Sequence, residues 1–196
     1  MFTGIIETTG TIKEVISKGS NKIFWLESSL STGFRIDQSV SHSGVCLTVE
    51  EVKDNLHRVT AIAETLQKTN LESWEPGKII NIERCLKLDS RLDGHLVQGH
   101  TDTRGTCLQI KEKKGSWEFE FGFPRKFAGL LIEKGSICVN GISLTAFNVK
   151  KKTFTVAIIP YTFEHTDIKM LRENDIVNLE FDVVGKYIQR SLSLKK

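Results

Sequence analysis

The sequence predicts an all-β chain: two similar small closed barrels in tandem, followed by a C-terminal helix. Three observations predict it. The block Gly44-Val45-Cys46-Leu47-Thr48 returns as Gly141-Ile142-Ser143-Leu144-Thr145, 97 positions later in a chain of 196 residues. Short β-rich runs separated by turn signals fill both halves, a pattern that suits small closed barrels rather than alternating strands and helices. Beyond the second copy, Val184, Tyr187, Ile188 and Leu192 recur at helical spacing.

The duplication reaches well past the block. Thr3-Gly4-Ile5 at the start of the first half matches Gln98-Gly99-His100, and the turn glycine Gly19 matches Gly115. From Ser39 and Ser136 onward the offset is a steady 97, through Thr65/Thr162, Thr69/Thr166, Asn81/Asn178 and Glu83/Glu180. Such long-range self-similarity marks two copies of one structural unit. The expected repeats are residues 1–97 and 98–196, with the turn-rich run Leu86 to Val97 joining them.

Strands are expected in the first half at Ile23–Leu26, Val45–Val52, His57–Ala63 and Lys78–Glu83. Lys18-Gly19-Ser20-Asn21 and Lys53-Asp54-Asn55 supply turns between them. In the second half Trp117–Phe123 alternates bulky and acidic residues, as a half-buried strand does. Phe154–Ile159 and Ile176–Phe181 repeat the theme. Pro124 is suited to open a helix with Phe127, Leu130 and Leu131 on one face. The C-terminal stripe, outside the duplicated part, either packs on its own barrel or seals a subunit interface.

Composition excludes several function classes. The chain is 39% hydrophobic and 26% charged with a net charge of +3, so no polyanionic partner is implied. Its lysine clusters, Lys111 to Gly115 and Lys150 to Lys152, read as solvated hairpin tips. Neither a signal peptide nor a membrane span is visible, and the four cysteines, Cys46, Cys85, Cys107 and Cys138, form no metal-ligand spacing. Reduced thiols in the cytoplasm are the plain reading. Phosphate-loop, dinucleotide and serine-hydrolase motifs are likewise missing.

Candidate chemistry therefore rests on the paired segments. Cys46 and Ser143 occupy one structural position, and both residue types can act as nucleophiles. A lone cysteine in an apolar run is usually a buried strand thiol; its alignment with Ser143 raises its interest. A thiol near neutral pH has some thiolate character, whereas a hydroxyl needs a base. On that ground Cys46→Ser is expected to slow turnover more than Ser143→Ala. His100 stands opposite Ile5 and breaks an otherwise apolar equivalence, although a surface polar residue after a turn would look the same. His95 in the linker and His57 in a strand carry weaker signals, and His42 reads as a half-exposed strand residue. Thr48 and Thr145 suit strands; Thr65 and Thr162 suit the capping of short turns.

Taken together, MFTGIIE, SVSHSGVCLTV, LDGHLVQGHTD, GISLT and IIPYTFEHT resemble the riboflavin synthase family, the type with two lumazine-binding repeats, over essentially the whole chain. The resemblance implies two six-stranded Greek-key barrels, a C-terminal helix and a homotrimer. It implies dismutation of two 6,7-dimethyl-8-ribityllumazine molecules, one passing a four-carbon unit to the other, with no cofactor and no metal. It implies a working site between the N-terminal barrel of one subunit and the C-terminal barrel of another, and lumazine synthase as a candidate partner. Catalytic roles are implied for Cys46, His100, Ser143, Thr145 and Ser39.

Substrate contacts are implied along Gly4, Ile5 and Ile6; at Cys46, Leu47 and Thr48; and along Thr60, Ala61, Ile62, Ala63, Glu64 and Thr65. In the second half they fall at Gly99, His100 and Thr101, at Lys134, at Ser143, Leu144 and Thr145, and along Ala157, Ile158, Ile159, Pro160, Tyr161 and Thr162. Many family members carry aspartate where this chain has Asn140, which cannot act as a base, and asparagine where it has Ser43. Two other readings compete. One is a non-catalytic lumazine-holding protein, against which Cys46 and His100 argue. The other is a small-barrel nucleic-acid module, which would want a basic groove with exposed aromatics and gets little support from a net charge of +3 and lysines placed at turns.

Overall fold

The computed structural model describes residues 1–194. The strands of the first half are β1 Thr8–Lys18, β2 Asn21–Glu27, β3 Ser39–His42, β4 Val45–Lys53, β5 Leu56–Ala61 and β6 Ile79–Arg84. Those of the second are β7 Thr103–Lys113, β8 Ser116–Gly122, β9 Ser136–Val139, β10 Ile142–Phe147, β11 Thr153–Ile158 and β12 Ile176–Phe181. Every pairing is antiparallel, and each set closes into a six-stranded Greek-key barrel. Around the first the order is β1-β2-β5-β4-β3-β6; the second repeats it with every label raised by six.

The expected turns are present, with Gly19 at φ 62° and Asp54 at φ 53°. Alternation sets the inward face: Phe24 and Leu26 of β2, and Phe119 and Phe121 of β8, are buried while their neighbours are less so. The long strands β1 and β7 each slip register once, at Ile12/Glu14 and at Cys107/Gln109. Such bulges bend a strand and help a small barrel close. Two apolar cores result, one per barrel. The second is rich in phenylalanine, with Phe121, Phe123, Phe154 and Phe181 in ring contact.

Several local expectations need correction. Strand β5 stops at Ala61 and β11 at Ile158, because short helices start just beyond them: α1 Ala63–Lys68 and α2 Pro160–His165. Capping falls not on Thr65 and Thr162 but on Thr69 and Thr166, whose hydroxyls accept from Leu71 and Ile168 N–H at 3.3 and 3.4 Å. The segment after Pro124 is a 3-10 helix, Arg125–Leu130, with Leu131 buried beyond it. His42 is fully buried rather than half-exposed. Its Nε2 lies 2.9 Å from Nε2 of His57, whose Nδ1 meets Ser31 Oγ at 2.8 Å.

The C-terminal helix, α3, spans Val183–Ser193, with the Asp182 carboxylate accepting the Val184 N–H at 2.9 Å. Lys186 pairs with Asp102 at 2.6 Å and ties the helix to the second barrel. Its apolar stripe does not pack on that barrel: Tyr187 is 74% and Ile188 56% exposed. No helix among the described residues is long and apolar enough to cross a membrane.

Candidate functional site at the seam between the barrels

Each half opens on a segment that its own glutamate holds. Glu83 accepts from Thr3 N and Oγ1 at 2.6 and 2.7 Å and from Gly4 N at 3.0 Å. Glu180 accepts from Gln98, Gly99 and His100 N–H at 2.7 to 2.9 Å. Burial pushes both carboxyls up, and these N–H donors pull them back.

The two opening segments then cross. The Gly4 carbonyl accepts from Ser143 N–H at 2.8 Å, and the Gly99 carbonyl accepts from Cys46 N–H at the same 2.8 Å. Each barrel's block is thus faced by the opposite half. Only glycine fits at either crossing. A Cβ on Gly4 would stand 2.6 Å from Ser143 Cβ, one on Gly99 2.6 Å from Cys46 Cβ, and φ is +76° and +77°.

This crossing unites residues that the sequence assigns to different halves. Cys46, Glu64 and Thr65 of the first half and Gly99, His100 and Thr101 of the second line one cleft of about 210 Å³. Ser39 lies opposite Thr48 across β3 and β4. The Cys46 thiol is half-buried, and burial pushes its pKa up against a hydrogen bond with the Ser39 side chain. The thiolate character expected of it is therefore reduced. A larger depression of about 940 Å³ opens beside it and includes Thr3, Ile5, Glu83 and Cys85.

At the second block Ser143 meets Gly4, while Ile6 packs against the core of the second barrel. Thr145 is exposed and lies opposite Ser136. Lys134 N–H donates to Ala146 O at 2.8 Å, which places it at the end of β9 and β10. Leu47, Ala61 and Ile158 point into the cores and offer only backbone to a ligand; Ile62, Ile159 and Tyr161 are exposed. Leu144 packs on the second core, while Ala157 is an exposed residue of β11 and Pro160 and Thr162 lie in the first turn of α2. In the first half Thr60 Oγ1 bonds Glu50 at 2.9 Å, and Ala63 opens α1.

Two site residues were undervalued or unseen in the sequence. His95, given little weight in the linker, is buried with Nδ1 2.6 Å from Ser143 Oγ, and its N–H donates to Thr3 O at 3.1 Å. Burial lowers its pKa, and the Asp182 charge opposes that. Asp167 was not singled out at all. It is buried in a polar network between the barrels, accepting from Ser43 Oγ at 3.0 Å, Asn81 Nδ2 at 2.8 Å and Asn140 Nδ2 at 3.3 Å. Burial pushes its carboxyl to about 7, against those hydrogen bonds. Its sequence signal was faint: a carboxylate opposite Asn70, just after the matched pair Thr69/Thr166, in segments that otherwise mostly differ. Asn140 belongs to the same network: its Oδ1 accepts from Asn178 N at 2.9 Å within the second repeat, and its carbonyl accepts from Asn81 Nδ2 of the first at 2.9 Å, which joins the halves.

Known proteins carry the same signature. The family described as Lumazine binding domain matches residues 3–85 and again 98–182. A riboflavin synthase of Bacillus amyloliquefaciens is 34% identical over 193 residues, 98% of this chain and 90% of that protein. One of Mycobacterium bovis is 36% identical over 197 residues, 97% of each chain. Among solved structures, LumP complexed with riboflavin has the same fold, with a TM-score of 0.87 at 17% identity, covering 92% of this chain and 99% of that one. With two copies of the lumazine-binding domain and such relatives along nearly its whole length, the chain belongs to the riboflavin synthase family.

Proposed function

We infer that this chain is a riboflavin synthase. It converts two molecules of 6,7-dimethyl-8-ribityllumazine into riboflavin and 5-amino-6-ribitylaminopyrimidinedione by transfer of a four-carbon unit. The observation that carries the reading is the reciprocal crossing. One chain builds two equivalent places, each with a β-hairpin block faced by the other half's opening segment, as a reaction between two copies of one molecule needs. With the N-terminal place of one subunit facing the C-terminal place of another, holding both molecules in register supplies much of the rate, because a bimolecular encounter becomes an intramolecular one.

The remaining assignments belong to this proposal. The first place uses Cys46, Ser39, Thr48, the Thr60–Thr65 turn and Gly99 to Thr101. The second uses Ser143, Thr145, Lys134, the Ala157–Thr162 turn and Gly4 to Ile6. The functional repeats are residues 1–97 and 98–196, of which 195–196 lie outside the described residues. A homotrimer through α3 accounts for its exposed apolar stripe. A cytoplasmic setting agrees with four free cysteines. Association with lumazine synthase is the further partnership to test. Incubating purified protein with the lumazine and following riboflavin fluorescence tests the activity. Stoichiometric lumazine binding without riboflavin would instead mark a ligand-holding protein.

A further inference from the structure

The two blocks differ in what surrounds their central side chain. Among the described residues no histidine hydrogen-bonds the Cys46 thiol, while Ser143 Oγ sits 2.6 Å from Nδ1 of His95. That imidazole is locked from several sides. The backbone N–H of His95 is held by the Thr3 carbonyl, and the ring is buried. The preceding Gly94 is so tightly packed that a Cβ there would lie 2.0 Å from Thr3 O and 2.9 Å from Ser143 Cβ. Its Nε2 is buried with no partner. Burial disfavours the charged form of the ring, and the Asp182 carboxylate at the start of α3 partly offsets this.

We propose that His95 is a positioning residue that accepts the Ser143 hydroxyl proton and so makes Ser143 the nucleophile of the second barrel. The inference rests on the proposed riboflavin synthase activity. In the neutral ring the proton sits on Nε2, and Nδ1 accepts from Ser143 Oγ–H. As an Oγ lone pair forms a bond to an electron-poor ring carbon of a lumazine held against the second block, the Oγ–H bond breaks and its proton passes to Nδ1. The displaced ring electron pair moves onto a conjugated pyrimidinedione carbonyl. The imidazolium so formed is stabilised by Asp182, and reversal of the step restores Ser143 and the neutral ring. A hydroxyl needs such a base near neutral pH, and the linker that ends the first repeat supplies it to the serine of the second.

Nitrogen-15 NMR of the histidine rings in the unmodified protein reads the tautomer without any variant. The expected result is a neutral His95 with the proton on Nε2 and an Nδ1 resonance that moves in Ser143→Ala. A ring protonated at Nδ1, donating to Ser143, would overturn the proposal. Kinetics supply the second arm. His95→Asn keeps a hydrogen-bonding group near the Nδ1 position but cannot take the proton, so kcat should fall roughly a hundredfold with KM within about twofold. His95→Asn/Ser143→Ala should be no slower than the worse single variant, because the two act as one unit. Additive losses, or a His95→Asn enzyme with unchanged kcat, would also overturn it. Should the unmodified protein make no riboflavin, the activity reading fails, while the NMR arm still decides the tautomer.

Discussion

Gly44 and Gly141 meet across the seam between the barrels. A Cβ on Gly44 would lie 2.6 Å from Gly141 N, and one on Gly141 2.8 Å from Gly44 N. Both have left-handed backbone, at φ +81° and +84°. The glycine that opens each repeated block therefore serves the contact between repeats as well as the turn before β4 or β10. Gly44→Ala combines unfavourable φ with a backbone clash, and should cost roughly 2 to 4 kcal/mol. Gly115→Ala, at a hairpin tip with open space around it, should cost only the conformational strain, about 1 kcal/mol. Urea unfolding of the two variants checks the difference; equal losses would show that the seam tolerates the added methyl.

Asp167 gives the seam a pH dependence. Its carboxyl is raised from 3.8 to about 7, so the folded state holds the proton more tightly than the unfolded state. The stability this contributes is full below about pH 4 and is lost as pH rises through about 7. A shift of about three units corresponds to roughly 4 kcal/mol. Asp167→Asn, which restores the residue type of the matching Asn70, should remove that decline. Chemical denaturation at pH 5 and pH 8 provides the readout; an identical pH slope in the variant would remove Asp167 as its source.

The buried pair His42 and His57 has the opposite sign. Burial lowers both, His57 to about 4, so the neutral rings are favoured in the folded state. Stability from this pair is present above about pH 6.5 and is lost as pH falls towards 4. The second barrel has Val139 and Phe154 at the matching positions. The double substitution His42→Val/His57→Phe should therefore remove the loss of stability below about pH 6.5 and uncover Asp167's opposite slope, which runs through the same window. Thermal unfolding scans from pH 4 to 8 separate the two slopes.

The exposed stripe on α3 bears on assembly. On the proposed homotrimer, charged residues there should release subunits without unfolding the barrels, since Tyr187 and Ile188 make no contact with the cores. Ile188→Glu/Leu192→Glu should sediment as a monomer with an unchanged circular dichroism spectrum. A trimer that survives both charges would move the interface elsewhere.

The sequence places most weight on Cys46, but the geometry moves it to Ser143. A half-buried thiol with raised pKa is a poorer nucleophile at neutral pH, and Ser143 has an imidazole beside it. Ser143→Ala should slow turnover roughly a hundredfold, and Cys46→Ser roughly tenfold or less. Steady-state rates from riboflavin fluorescence rank the two; the reverse order would return the chemistry to the first barrel.

The sequence by itself determined the architecture. A block repeated at a constant offset, turn residues between β-rich runs and an unrepeated apolar stripe specify two barrels and a helix, because strand alternation and turn geometry are local properties. It also marked Gly4, Gly99, Asn81, Asn178, Glu83 and Glu180 as paired, without telling why. Only the tertiary structure decided that the opening segments cross, so that Gly99 serves Cys46 and Gly4 serves Ser143. Those links run through main-chain N–H and carbonyl groups, which every residue has and no side-chain pattern can announce. His95 lay hidden for a related reason: its partner is 48 residues away, in a strand of the other repeat. Asp167 went unnoticed in the sequence because burial, which no short stretch of sequence encodes, is what shifts its charge.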